Sequence, residues 1–405
     1  MIQQNLLQMI QAEKVEWKTL GEVCQIKKGK QLNKTELKDQ GLYPAYNGGK
    51  GHSGYTDNFN VEADTIIISQ GGASAGFVNF IKVPFWANAH CYYVLPHSNI
   101  INRYLYHFLK NNERSFMDSQ YGAGIPALSQ SALEKVAIPI PPLETQQKIV
   151  KILDKMTKLE ATLEATLEAE LSQRRRQYEY YRNALLDFDN RGGGVIAKLY
   201  PDCLKDVAWK TLGEVGVLIR GNGMQKKDFT EIGVPAVHYG QIYTHYGTFA
   251  AETKSFVSPE LAKRLKKAQY GDVLIAGTSE NVEDVMTPVG WLGGEIVFSG
   301  DMFVFRPSKE LNTKYLTYML QTEKFQKFKE KYAQGTKVIR VKSENFLKFE
   351  IPIPPLEIQA KIVAILDQFD TLTQSISDGL PCEIALRRRQ YEYYREQLLN
   401  FAPAA

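Results

Sequence analysis

The chain has 405 residues, 44 % of them hydrophobic and 23 % charged, which is enough for two or three domains, each able to bury its own core. A formal net charge of +4 permits contact with a polyanion without requiring it. Cys24, Cys91, Cys203 and Cys382 include no C-x-x-C pair, and no run of about 18 apolar residues could span a bilayer, so a zinc cage, a disulfide framework and a membrane span are all unsupported. A soluble, cytoplasmic protein is expected.

In chain order, a short N-terminal helical segment (residues 1–16) leads into Trp17-Lys18-Thr19-Leu20-Gly21-Glu22-Val23. Residues 17–140 then read as a mixed α and β domain. It has β-rich runs such as Thr65-Ile66-Ile67-Ile68-Ser69, a glycine-rich turn from Gln70 to Gly76, and helical spacing from Asn102 to Asn111. After Pro141-Pro142, apolar residues recur every three or four positions at Ile149, Ile152, Met156, Leu159, Leu163, Leu167 and Leu171, with charge between them. Residues 141–190 are therefore expected to form one long amphipathic helix, opened by prolines whose fixed φ suits a first turn. A glycine-rich linker, residues 191–208, separates it from a second mixed domain at 209–353 and a second long helix at 354–401.

The second half repeats the first. Trp209 to Val215 reproduces Trp17 to Val23 letter for letter, Ile351-Pro352-Ile353-Pro354-Pro355-Leu356-Glu357 reproduces Ile138 to Glu144, and Arg387 to Arg395 reproduces Arg174 to Arg182. Between these shared blocks the halves barely resemble each other, and the offset between copies grows from 192 to 213 residues. The repeated parts make the same contacts twice, and the divergent parts are free to meet two targets. The second apolar stripe, Ile362, Ile365, Phe369, Leu372, Ile376, Leu380 and Ile384, keeps the spacing of the first, so the two helices are expected to pair as an antiparallel coiled coil. Asp378-Gly379-Leu380-Pro381 interrupts the second, where an interior proline predicts a kink or break. The fold class is α+β: two α/β domains in pseudo-twofold repeat, separated by two long helices.

Basic residues gather just after the first block of each half, as Lys27, Lys28, Lys30 and Lys34, then as Arg220, Lys226 and Lys227. Such side chains can neutralise phosphates, and the amides of Gln31, Asn33, Asn222 and Gln225 match an adenine edge in the major groove. Glycine-rich turns after an apolar strand add Gln70 and Ser74 in the first domain and Thr278, Ser279 and Asn281 in the second. The repeated R-R-R-Q-Y-E-Y-Y-R runs supply a candidate docking surface: Arg174, Arg175, Arg176, Tyr178 and Tyr181, with Arg387, Arg388, Arg389, Tyr391 and Tyr394. Trp17 and Trp209 are expected to pack rather than to read bases.

The W-K-x-L-G-E-V opening, the I-P-x-P-P-L-x-x-Q closing block ending in Gln146 and Gln359, and the R-R-R-Q-Y-E-Y-Y-R helix, each present twice, resemble the specificity subunit of type I restriction-modification systems over essentially the whole chain. The resemblance implies that each variable domain reads one half of a bipartite double-stranded DNA target and that the paired helices set the unread spacer. It also implies two modification (methyltransferase) subunits and the restriction (translocase and nuclease) subunits as partners. S-adenosylmethionine, ATP and magnesium would be bound by those subunits, with no cofactor, metal or catalytic residue in this chain.

The sequence has no N-P-P-Y or D-P-P-Y tetrapeptide, no G-x-x-x-x-G-K-[ST] loop, and no E-x-K suitably spaced after Pro201-Asp202, so methyl transfer, ATP-driven translocation and cleavage find no support in it. The competing reading is a duplicated coiled-coil scaffold whose variable domains bind proteins. Salt separates the two, because a phosphate-neutralising reader loses affinity steeply as salt rises.

Overall fold

The structure is a computed structural model describing residues 10, 13, 15–118, 127–189, 195–199, 207–374 and 378–401. Most of the expected N-terminal segment and of the glycine-rich linker lies outside these residues. The chain divides into two compact units, residues 1–164 with 386–405, and residues 165–385.

In the first unit, Glu16–Thr19 pairs antiparallel with Ala137–Ile140, placing Trp17 opposite Pro139. An antiparallel sheet follows in the order Cys24–Lys28, Cys91–Pro96, Thr65–Ser69, Val78–Ile81, beside a smaller sheet of Gly54–Thr56, Tyr43–Tyr46 and Trp86–Ala87. Thr65–Ser69 is buried throughout, as a run of β-branched residues in a central strand should be. The second unit repeats the frame: Ala208–Thr211 pairs with Glu350–Ile353, Trp209 opposite Pro352, and Gly216–Arg220 lies on Met302–Pro307, which lies on Val273–Ala276. The segment from Asn312 to Tyr332 forms two helices, Thr313–Met319 and Glu323–Tyr332, the second capped by the Thr322 hydroxyl accepting from the Phe325 amide.

The first long helix runs unbroken from Leu143 to Leu186, 44 residues, or about 66 Å at about 1.5 Å per residue. The second is interrupted, as Leu356–Gln374 and Leu380–Leu399. A Cβ on Gly379 would stand 2.4 Å from the carbonyl oxygen of Thr371 and 2.7 Å from that of Leu372, so only glycine fits that crossing. Pro381 sits in the first turn of the new helix, where its missing N–H costs nothing. The helices pair antiparallel inside each unit. Thr157 bonds Tyr391 and Glu164 pairs with Arg388 in the first; Tyr178 meets Asp370, and Leu167 packs with Leu380 and Ile384, in the second.

The expected apolar stripe is corrected in its middle. Leu159 and Leu163 are 57 % and 37 % exposed, while Leu153 is fully buried. The seam there is polar, made by Thr157, Glu164, Tyr391 and Arg388.

Each long helix is fastened to its domain by one buried glutamine. Gln146 accepts from the Ile101 amide at 2.8 Å and donates to the carbonyls of Pro141 and Asn99. Gln359 accepts from the Asn312 amide at 2.8 Å and donates to those of Pro354 and Glu310. Two turns further on, Asp154 takes Arg103 and His107, and Asp367 takes Lys314 and Tyr318. Truncation leaves buried amide and carbonyl groups unpaired, so Gln146→Ala and Gln359→Ala are each expected to cost about 2–4 kcal/mol in urea unfolding. A loss under about 1 kcal/mol would contradict the clamp.

The paired positions His107 and Tyr318 differ in titration. Burial holds the His107 imidazole below its usual range, against the opposing pull of Asp154. A lowered folded pKa means that the unfolded chain binds the extra proton, so this contribution is present above about pH 6.5 and is lost as pH falls. Urea midpoints are expected to drop from pH 7.5 to 5.5, and His107→Gln, whose amide can still donate to Asp154, should shallow that drop. An equal drop in both proteins would exclude His107 as the source.

Candidate nucleic-acid interface

Sheet register brings four loops together at one end of each unit. In the first, Lys28 faces Tyr92 across the sheet, and Gly29 continues the contact by donating to the Cys91 carbonyl at 2.9 Å. Gln70 leaves the neighbouring strand and donates to the His90 carbonyl, and the Gly48 amide reaches the Cys91 sulfur. Lys27, Lys28, Lys30, Asn47, Lys50 and His90 are all exposed around this point. In the second, Gly221 donates to Met302, Gly277 donates to Asp301, and Ser299 receives the Tyr239 amide on its hydroxyl.

Gly29 and Gly221 hold the same place in the two copies. A Cβ on Gly29 would lie 2.2 Å from the Asn88 carbonyl oxygen, and one on Gly221 would lie 2.0 Å from that of Ser299. Each lets the strand end press against the opposite loop. Both loops then turn through a short 3-10 helix, Lys34–Glu36 and Lys226–Asp228, where Glu36 receives the Asn33 amide and Asp228 that of Gln225. The sequence thus writes a basic, exposed turn twice on one frame.

Side chains expected to act alike are not placed alike. Lys34, Arg220, Gln225, Lys226 and Lys227 are exposed, as are Gln31 and Asn33, although Gln31 Nε2 also donates to the Leu32 carbonyl. Ser74 is half-buried in its turn, and Gln70 Oε1 is buried without a donor among the described residues. Asn222 is corrected from base reader to clamp: its Nδ2 donates to the Arg264 carbonyl and its Oδ1 accepts from the Lys266 amide, both at 2.8 Å. Thr278 and Ser279 are buried and pair antiparallel with the strand Ile339–Arg340, and Asn281 spends both ends of its amide on Asp284. The exposed groups over that turn are instead Lys337 and Arg340, on a tight loop whose Gly335 adopts φ 114°. That loop carried no signal beyond its glycine. The corresponding stretch of the first unit, residues 119–126, lies outside the described residues.

Burial raises the thiol of Cys91 to about 11 and that of Cys24 to about 12, which leaves both as packing groups. Burial, then repulsion from Lys226, keeps the His238 imidazole below its usual range; the same side chain accepts the Gly240 amide at the start of its helix. Trp17 packs against the first core, and Trp209, 39 % exposed, carries the Lys324 ammonium 4.3 Å over its ring.

The docking set divides similarly. Tyr178 is 3 % exposed, bonded to Asp370 and stacked on Phe369, so it is a core residue, because its position faces the partner helix. Tyr391 bonds Thr157, Arg388 pairs with Glu164, and Tyr181 stacks on Phe369. Arg174 is half-buried beside Gln177 and Glu170, whereas Arg175, Arg176, Arg387, Arg389 and Tyr394 face outward. The repeated tyrosines overlooked by the sequence argument, Tyr180 and Tyr393, are 63 % and 57 % exposed.

Gly29→Ala and Gly221→Ala are expected to push each strand end off its loop and to cost more than about 2 kcal/mol. Amide exchange should accelerate at residues 28–32 and 88–91, or at 220–224 and 299–302. Unchanged exchange would mean that the loops are not held by these contacts.

A family model described as the type I restriction modification DNA specificity domain matches residues 12–173 and 205–386. A Haemophilus influenzae protein named as a type I restriction enzyme specificity subunit is 33 % identical, covering 98 % of each chain. The specificity subunit of an Escherichia coli type I restriction enzyme is 31 % identical over 74 % of this chain and 70 % of its own. A solved chain from work on complex assembly and conformational transition of a type I restriction-modification system superposes with a TM-score of 0.65 at 17 % identity, covering 95 % of this chain and 97 % of that one, which shows a shared fold.

Proposed function

The chain belongs to the type I restriction-modification DNA specificity family, and from that premise we propose that it is the non-catalytic DNA-reading subunit of such a complex, each unit recognising one half of a bipartite target. The observation that carries this reading is the duplicated set of four loops: one strand-end frame presents basic, exposed side chains twice, with different residues each time. Exposed lysine and arginine position the duplex, and the differing polar side chains beside them discriminate bases. The unbroken Leu143–Leu186 helix, which contributes residues to both units, fixes the number of unread base pairs between half-sites.

In this reading two modification subunits dock on the outward residues of the repeated helices, Arg175, Arg176 and Tyr180 with Arg389, Tyr393 and Tyr394. S-adenosylmethionine, ATP and magnesium belong to those subunits and to the restriction subunits, and the complex works in the cytoplasm. Among the described residues no helix is long and apolar enough to cross a membrane.

The test is methylome sequencing of cells expressing the neighbouring modification subunit with and without this chain. A two-part motif with methyladenine in both halves, appearing only with the chain, is the expected result; a stable, active complex with no new motif would favour the protein-binding scaffold. Four residues inserted at both unit boundaries, after Glu164 and after Ala385, add about 6 Å to each arm. At about 3.4 Å per base pair the unread spacer is expected to lengthen by one or two base pairs, with both half-sites unchanged.

A further inference from the structure

The two units differ in charge at a segment where the second is longer. After the strand Gly54–Thr56 the first unit continues through residues 57–64, which include Asp57, Glu62 and Asp64 and no lysine or arginine. After the equivalent strand Ser255–Val257 the second continues through residues 258–272, which add a helical turn, Pro259–Ala262, and the run Lys263-Arg264-Leu265-Lys266-Lys267, whose four cations outnumber Glu260 and Asp272. The same topological segment is acidic in one unit and basic in the other.

That basic run is held in a defined place. Leu265, 6 % exposed, packs in one apolar cluster with Met224, Ala262 and Val257. The Asn222 side chain bonds the backbone on both sides of it, at Arg264 and Lys266. Since Asn222 is the second residue of the basic turn after Gly216–Arg220, the run is pinned to the candidate interface. Its charged groups point outward: Lys263, Arg264, Lys266 and Lys267 are all exposed, and among the described residues only Lys267 is ion-paired, with Glu295.

We infer that residues 263–267 form a phosphate-binding arm peculiar to the second unit, so that this unit supplies most of the sequence-independent, salt-sensitive grip on duplex DNA. The inference rests on the DNA-reading function proposed above. Charge complementarity selects the polyanionic backbone as occupant, since three unpaired cations are displayed with no aromatic or amide group among them to read a base.

The test uses the complex of this chain with its modification subunit, titrated with a duplex carrying the target and with an unrelated duplex, from 50 to 300 mM salt. Lys263→Gln, Arg264→Gln and Lys266→Gln together are expected to lower the slope of log affinity against log salt by about two to three, and to weaken both duplexes in parallel by about 10²-fold at 0.1 M salt. The control, Lys82→Gln, Lys135→Gln and Lys309→Gln, at exposed lysines that follow Val78–Ile81, Gln130–Glu134 and Met302–Pro307, should leave the slope near wild type, and unchanged melting temperatures show that both variants fold. A slope equal to that of the control, or a loss confined to the target duplex, would overturn the arm while leaving DNA reading intact. Failure of the unaltered complex to bind either duplex would instead overturn DNA reading itself.

Discussion

One buried glutamine holds each mixed domain to its long helix, and the rest of the architecture depends on this pair of contacts. Gln146 and Gln359 each satisfy an amide at the start of a domain helix and two carbonyls, one of them contributed by the proline that precedes the long helix. A proline pair opens each helix without a donor to waste, but its carbonyls still need partners, and a fully buried carboxamide is the side chain able to donate twice and accept once. The second tie, Asp154 and Asp367 with a cation and a neutral donor each, sits two turns along the same face. Between them they fix both the angle and the rotation of helix against domain.

With the helices fixed, each strand end can carry variable chemistry without disturbing the frame. The glycines at positions 29 and 221 let the first strand run close under the opposite loop, and a capped 3-10 turn then returns the chain. Everything outward of that turn is solvent-facing, so its sequence is limited by the partner rather than by the core. That physical separation explains how one chain can hold identical blocks and unrelated fillings. It also explains why the longer filling of the second unit could acquire a basic arm: Leu265 and Asn222 anchor it locally, at little cost to the sheet beneath.

The polar middle of the helix pair is a further consequence of the frame. Thr157 with Tyr391 and Glu164 with Arg388 replace leucine contacts, leaving Leu159 and Leu163 outward. Hydrogen-bonded pairs specify alignment more sharply than a uniform apolar seam, because a one-turn slip leaves their members unsatisfied. The interruption at Gly379 serves the same helix pair differently, since the chain must pass within contact of the carbonyls of Thr371 and Leu372 before helix resumes at Leu380.

The sequence by itself determined the duplication, the two mixed domains, the long unbroken helix, the break before Pro381 and the basic turns, because each follows from local composition or from letters repeated at a fixed order. Family membership followed from the same repeated blocks. What only the tertiary structure decided was which member of each pattern faces inward. Periodicity marked Leu159 and Leu163 as seam residues, yet helix rotation, set by Gln146 and Asp154, turned Thr157 and Glu164 to the seam instead. Residue type made Asn222, Thr278, Ser279 and Asn281 look like base readers, but a carboxamide bonds equally well to nearby protein groups and a hydroxyl can be buried in a strand pair, and only the positions of Arg264, Lys266, Asp284 and the Ile339–Arg340 strand show that this happens. Spacing likewise grouped Tyr178 with its neighbours, and helix pairing alone buried it while leaving Tyr180 in solvent.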